Sequence, residues 1–242
     1  MTTPEIYFRQ LLAGEQVASA HPVAGQMRNF MYLIGDPASR KALVVDPAWD
    51  VDGLLDIAED DDFEVVGALI THYHPDHIGG DMFGMHVEGI ARLLERKQVP
   101  LHVNKHEAAG VVKVTGVSET DLRKVDDADK LQLGDREIQF IHTPGHTPGS
   151  QCFLVEGALI AGDTLFVQGC GRVDLPGSDA DAMYHSLTGK LAKLPEDTVL
   201  YPGHDYGPSP TSTIGHELRR NTYMRMRTLD DWRVLMGLPS AD

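Results

Sequence analysis

Short apolar runs broken by turn residues dominate the first half of the chain. Residues 6–12, 29–34 and 42–45 read as strands. Gly35-Asp36-Pro37 is a turn signal between the second and third, and Asp46-Pro47 ends the third. At 51–58 the period changes: Val51, Leu54, Leu55 and Ala58 fall at helical spacing, with Asp50 placed to cap the N-terminus. The run 65–70 reads as a further buried strand. Beyond it, 89–97 reads as a helix, 101–103 as a strand and 106–111 as the start of another helix. Residues 131–141 alternate around Gly134-Asp135 and 151–162 turn at Glu156-Gly157, which predicts two hairpins.

An amphipathic helix follows at 179–194, with Met183, Leu187, Leu191 and Leu194 on one face. A short strand is expected at 198–201 and closing helices at 213–226 and 229–236. Strands occur in both halves, each half followed by helices. That order predicts an α/β fold of two sheets with helices outside, a four-layer α-β-β-α sandwich. A doubly wound sheet would give a similar pattern. No low-complexity segment or linker interrupts the chain, so one domain over 1–242 is expected, closed by helices at about 211–237.

Composition narrows the class. The 242 residues are 42% hydrophobic and 24% charged, as in soluble globular enzymes. With 21 Lys and Arg against 36 Asp and Glu, the net charge is −15. A surface that acidic argues against nucleic acid and anionic membrane as partners. A small anionic substrate stays compatible with it, because bound divalent cations reverse the local field. The two cysteines, Cys152 and Cys170, form no disulfide framework or zinc knuckle. The N-terminus has no leader-like pattern and no apolar run reaches membrane-span length, so the chain reads as mature and cytoplasmic. Nothing in the composition excludes a homo-oligomer.

The candidate chemistry centres on residues 71–80, THYHPDHIGG, directly after a predicted strand. His72, His74, Asp76 and His77 place four coordinating groups within six residues, and Pro75 prevents a regular helix through them. Without a cation such groups would repel and stay hydrated. His146, Asp163 and His204 each follow a predicted strand beside glycine. If those strand ends share an edge, seven ligands converge. Imidazole and carboxylate without thiolate suit zinc, iron or manganese. Seven exceed the four that one tetrahedral zinc needs, and two ions about 3.5–4 Å apart would use them all.

The motifs HYHPDH, TPGHTPGS, GDTLF and PGHDY resemble the metallo-β-lactamase superfamily, in its branch of glyoxalase II and the persulfide dioxygenases. The resemblance implies the αβ/βα sandwich. It implies His72, His74 and His146 around one metal, Asp76, His77 and His204 around a second, and Asp163 bridging. Two divalent ions, zinc above all, would then support hydrolysis of a thioester of the hydroxyacylglutathione kind, or a related ester. A metal-bound hydroxide would be the nucleophile, and Asp76 the catalytic residue that orients it. The alternative implied is a mononuclear iron persulfide dioxygenase oxidising glutathione persulfide, with Fe(II) on His72, His146 and Asp163. After GCGR, Val173-Asp174-Leu175 looks more like the dioxygenase pattern, as do DYG, STI and Glu217 in the short segment after His204. The complete two-metal set favours hydrolysis. The segment around 82–99 reads as an addition able to reshape the pocket.

Arg172, in the glycine-rich loop after Asp163, is the candidate for binding an anionic, thiol-derived substrate by paired charged hydrogen bonds. A salt bridge to Asp174 or Asp179 competes for it. His21, His86, His102, His106 and His216 read as surface or hydrogen-bonded residues, His185 as packing and Cys152 as core. His142, four before His146, is a candidate for supporting a ligand.

Overall fold

The computed structural model describes residues 6–239. Two six-stranded sheets face each other. The first runs, edge to edge, Tyr7–Leu12, Phe30–Asp36, Lys41–Val45, Glu64–Leu69, Leu101–Asn104, Leu122–Val125. The second runs Ser212–Thr213, Val199–Pro202, Ala158–Gly162, Gln151–Val155, Arg136–His142, Lys130–Leu133.

Three cores define four layers. Phe30, Tyr32 and Ile34 point inward with Leu43, Val45 and Leu69, against Leu133, Phe140, Phe153 and Ile160 of the other sheet. Their neighbours Met31, Leu33 and Val44 point outward onto Val51, Leu54 and Leu55 of the helix Val51–Asp60 and Leu93 of Ile90–Arg96. The second sheet's outer face, with Cys152, Leu159 and Leu200, is covered by Met183, Leu187, Leu191, Ile214 and Trp232. The central strands Phe30–Asp36, Lys41–Val45, Gln151–Val155 and Ala158–Gly162 are largely buried on both sides because both sides are covered, whereas the edge strands Leu122–Val125 and Lys130–Leu133 expose polar residues. The expected sandwich is therefore the fold.

The structure corrects several elements. The expected strand 29–34 runs on to Asp36, and the turn begins after it. The helix expected at 106–111 spans Ala108–Thr115. The expected helix 179–194 is α-helical only over Ala180–Tyr184; His185–Lys190 is a wider π turn and Leu191–Lys193 a 3₁₀ turn. Met183, Leu187 and Leu191 recur every four residues, a period longer than 3.6, and all three are fully buried. The widened turn keeps them on one line, and Gly189 and the Thr188 hydroxyl, bonded to Tyr184 O at 2.7 Å, ease the distortion. The helix expected at 213–226 stops at Arg220. Asn221 is buried, and its Nδ2 donates to Gly169 O at 2.9 Å and to Glu217 Oε2 at 3.0 Å, which turns the chain away. The region around 82–99 folds as the hairpin Gly80–Met82 and Met85–Val87 followed by Ile90–Arg96. Sequence pattern missed that hairpin, the helix Pro22–Met27 and the strand Leu122–Val125.

Candidate metal centre

Strand direction decides where the polar residues go. Lys41–Val45 and Glu64–Leu69 are parallel, as are Ala158–Gly162 and Val199–Pro202. Asp46, the 71–78 loop, Asp163 and His204 follow the ends of these strands and so reach one edge. Direct bonds join the two sheets there: Gln151 N–H donates to Thr71 O at 3.0 Å and Phe30 N–H to Gly203 O at 2.8 Å. Within the 71–78 loop, Pro75 opens the one-turn helix Pro75–Ile78, with His74 at its N-cap. The turn carries Asp76 and His77 back toward His72. Close approach requires glycine: a Cβ at Gly171 would lie 1.9 Å from Asp163 O, and one at Gly203 would lie 2.4 Å from Asp163 Oδ1.

Two trios result. His72 Nε2 and His146 Nε2 lie 3.1 and 2.9 Å from His74 Nδ1. Asp76 Oδ2, His77 Nε2 and His204 Nε2 lie 3.2–3.4 Å from one another. Asp163 stands between, Oδ2 3.5 Å from His146 Nε2 and 3.4 Å from His204 Nε2, and Oδ1 3.3 Å from His77 Nε2. All seven expected residues come together. Ligand atoms around tetrahedral zinc at 2.0–2.1 Å are about 3.3 Å apart, close to both trios.

Four of the five imidazoles are also held from behind. His72 Nδ1 meets Thr71 Oγ1 at 3.0 Å and His77 Nδ1 meets Asp46 Oδ2 at 3.0 Å. His146 Nδ1 meets Arg172 O, and His204 Nδ1 meets Met27 O, both at 2.8 Å. Carbonyl and carboxylate partners require N–H on the outer nitrogen, which leaves the inner lone pair free for a cation. Asp163 Oδ1 is buried with no hydrogen-bond partner among the described residues. The donor set therefore fits divalent metal at both trios.

Electrostatics differ between the trios. Burial, then the neighbouring His77 and His74, holds His72 well below the usual imidazole range. Burial and His146 bring His74 down to about 4. In the other trio burial also disfavours charge, but Asp163 overrides it and raises His204 to about 9, while Asp76 and Asp163 raise His77. Asp163 stays well below the carboxylate range despite burial, because His204 and His77 face it. Without metal, protons on His77 and His204 neutralise these carboxylates; a divalent cation would displace them.

Two contributors escaped the sequence reading. Asp46 accepts from Thr71 N–H at 2.7 Å, from Thr71 Oγ1–H at 2.5 Å and from His77 Nδ1–H. Although Asp46, His72 and His77 cluster, the Asp46 oxygens are already occupied by these donors. Asn29 Nδ2 donates to Asp76 Oδ2 at 3.0 Å, and its Oδ1 accepts from Trp49 Nε1–H at 3.2 Å. Asp46 follows a predicted strand just as the ligands do, so its position was a usable signal.

The other expectations sort clearly. Arg172 is exposed and forks onto Asp174 Oδ1 and Oδ2, both at 2.9 Å, while its carbonyl holds His146. His142 sits against Pro148 O at 2.9 Å and stacks on His106, outside both trios. His21 caps the helix Pro22–Met27. Burial pushes the Cys170 thiol up to about 12, unsuited to a nucleophile.

Residues 24–204 match the family model of the metallo-β-lactamase superfamily. The chain belongs to that superfamily. Its relatives divide between the two chemistries. A probable polyketide biosynthesis zinc-dependent hydrolase, BaeB of Bacillus velezensis, is 30% identical over 82% of this chain and 82% of that one. A hydroxyacylglutathione hydrolase of Maricaulis maris is 35% identical over 74% of this chain and 62% of that protein. The human mitochondrial persulfide dioxygenase ETHE1 is 30% identical, covering 86% and 76%. The crystal structure of ETHE1 from Myxococcus xanthus superposes with a TM-score of 0.77 at 30% identity, covering 96% and 92%. Among the described residues no helix is long and apolar enough to cross a membrane.

Proposed function

We propose that this superfamily member is a two-metal hydrolase of a thioester of the hydroxyacylglutathione kind, or a related ester. The observation that supports it most directly is the pair of trios joined by Asp163 (His146 Nε2 and His204 Nε2 at 3.5 and 3.4 Å from Oδ2), a donor arrangement for two ions rather than one. Divalent ions held there would supply a water ionised near neutral pH and charge to offset the developing oxyanion. The chain supplies the geometry. His72, His74 and His146 would hold one ion, and Asp76, His77 and His204 the other. Asp163 serves both. Asp76, its Oδ2 tethered by Asn29, faces the second position and would orient the attacking water. No serine or cysteine nucleophile is required. Arg172 would grip a substrate carboxylate by exchanging it for Asp174.

A second reading, one ferrous ion on His72, His146 and Asp163 acting on a persulfide, is favoured by the likeness to ETHE1 along 96% of the chain. Elemental analysis of the purified protein separates the two. Two zinc ions per chain with thioesterase activity support hydrolysis. One iron per chain, with oxygen uptake on glutathione persulfide, refutes it.

A further inference from the structure

Of the first trio's three edges, only His72–His74 lies along a single loop; the two edges to His146 cross between loops. His72 and His74 share one loop of the first sheet; His146 comes from the second sheet, 2.9 Å from His74. Something must hold the two loops in register to a few tenths of an ångström. Gln151 joins the strand ends beneath, by bonds to Thr71 O and Ile70 O. Beside the ligands themselves, the crossing is made by Glu107.

Glu107 is fully buried and precedes the helix Ala108–Thr115. Its Oε1 accepts from Tyr73 N–H, between the two loop histidines, at 3.0 Å, and from Thr147 Oγ1–H, next to His146, at 2.5 Å. Its Oε2 accepts from Gly149 N–H at 2.7 Å. The carboxylate itself is anchored, because Glu107 N–H donates to Asn104 O at 2.9 Å and its helix packs into the outer core through Val111. Glycines admit this contact: a Cβ at Gly149 would lie 2.6 Å from Glu107 Oε2, and one at Gly110 would lie 2.6 Å from the Tyr73 ring. Burying a carboxylate is costly unless donors meet it, and three do, two of them at 2.5 and 2.7 Å. They all come from the two histidine-bearing loops.

We propose that Glu107 is a positioning residue that sets the spacing of His72 and His74 against His146, and so the affinity and ligand field of the first metal position. This rests on the metal reading above, but not on which reaction follows. Glu107 touches no ligand atom and acts through residues 73, 147 and 149.

The test is cobalt(II) titration of the metal-free protein, followed by absorption and chelator competition. Glu107→Gln keeps the shape but turns one acceptor into a donor, facing at least one N–H or O–H. Cobalt bound by the three histidines should weaken about 10–100-fold, with a changed absorption spectrum, while the Asp76, His77 and His204 position keeps its affinity. Leu54→Ala, a cavity on the helix Val51–Asp60 that leaves all three Glu107 bonds in place, is the control: it should lower Tm and leave cobalt binding and spectrum unchanged. Wild-type affinity and spectrum in Glu107→Gln would overturn the proposal, as would equal weakening in Leu54→Ala at matched loss of stability. If Glu107→Gln fails to fold, Thr147→Val removes one of the three bonds and should show the same shift, smaller; no shift overturns the proposal. Wild-type protein that takes up no cobalt would refute the ligand assignment itself, a failure distinct from that of the clamp.

Discussion

Asp46→Asn tests how far the second trio depends on support from behind. Asp46 sits at φ 49°, a left-handed conformation that Asn tolerates well, so the backbone should not be strained. The variant can still accept from Thr71 N–H through Oδ1. Its Nδ2 then faces the Thr71 hydroxyl and His77 Nδ1–H, two former donors at 2.5 and 3.0 Å. The cheapest relief is for His77 to take the other tautomer. Its proton then sits on Nε2, aimed at His204 Nε2 and Asp163 Oδ1, 3.2 and 3.3 Å away, in the space a metal would fill. Loss of such an outer partner costs about 10–100-fold in metal affinity, or about 1.4–2.8 kcal/mol. The second ion should be affected by that amount. The first should change little, since Thr71 still accepts from His72. Chelator competition with zinc measures both, and activity lost in the variant should return as zinc is raised. His216→Ala, at an exposed helical residue, is the control and should bind both ions normally. A second ion held as tightly in Asp46→Asn as in wild type would refute the reasoning.

The other predictions are briefer. Arg172→Ala should raise KM for a carboxylate-bearing thioester or persulfide about 10–100-fold and leave a neutral ester and the metal content unchanged; equal loss on both substrates would return Arg172 to its bond with Asp174. His102, mostly buried near Phe140, is held down to about 4 by burial and then by Arg123. The unfolded chain therefore binds this proton first as pH falls. Stability from His102, about 3 kcal/mol, is present above pH 6.5 and lost by about pH 4. Denaturant midpoints across that range should slope less in His102→Gln than in wild type, and identical slopes would refute the assignment.

Much was legible locally. The seven converging residues could be listed because each sits in a strand end or a Pro- or Gly-broken loop, a context set by near neighbours in the chain. Strands followed by helices in each half pointed to the sandwich but fitted a doubly wound sheet as well, and the family motifs decided between the two. What the sequence could not place depends on contacts between distant segments. Asp46 meets Thr71 and His77 because two strands 20 residues and more apart pair in parallel. Glu107 meets residues 73, 147 and 149 only when both sheets are packed. The helix after 213 ends at Arg220 because the Asn221 side chain finds the carbonyl of Gly169. Met183, Leu187 and Leu191 showed which face would be buried, but only packing on the second sheet widened the helix into a π turn. For Arg172 the sequence offered both Asp174 and Asp179, and the structure pairs it with Asp174. Periodicity and local chemistry specify what each segment offers; the partner is decided by which strand ends the sheets bring to one edge.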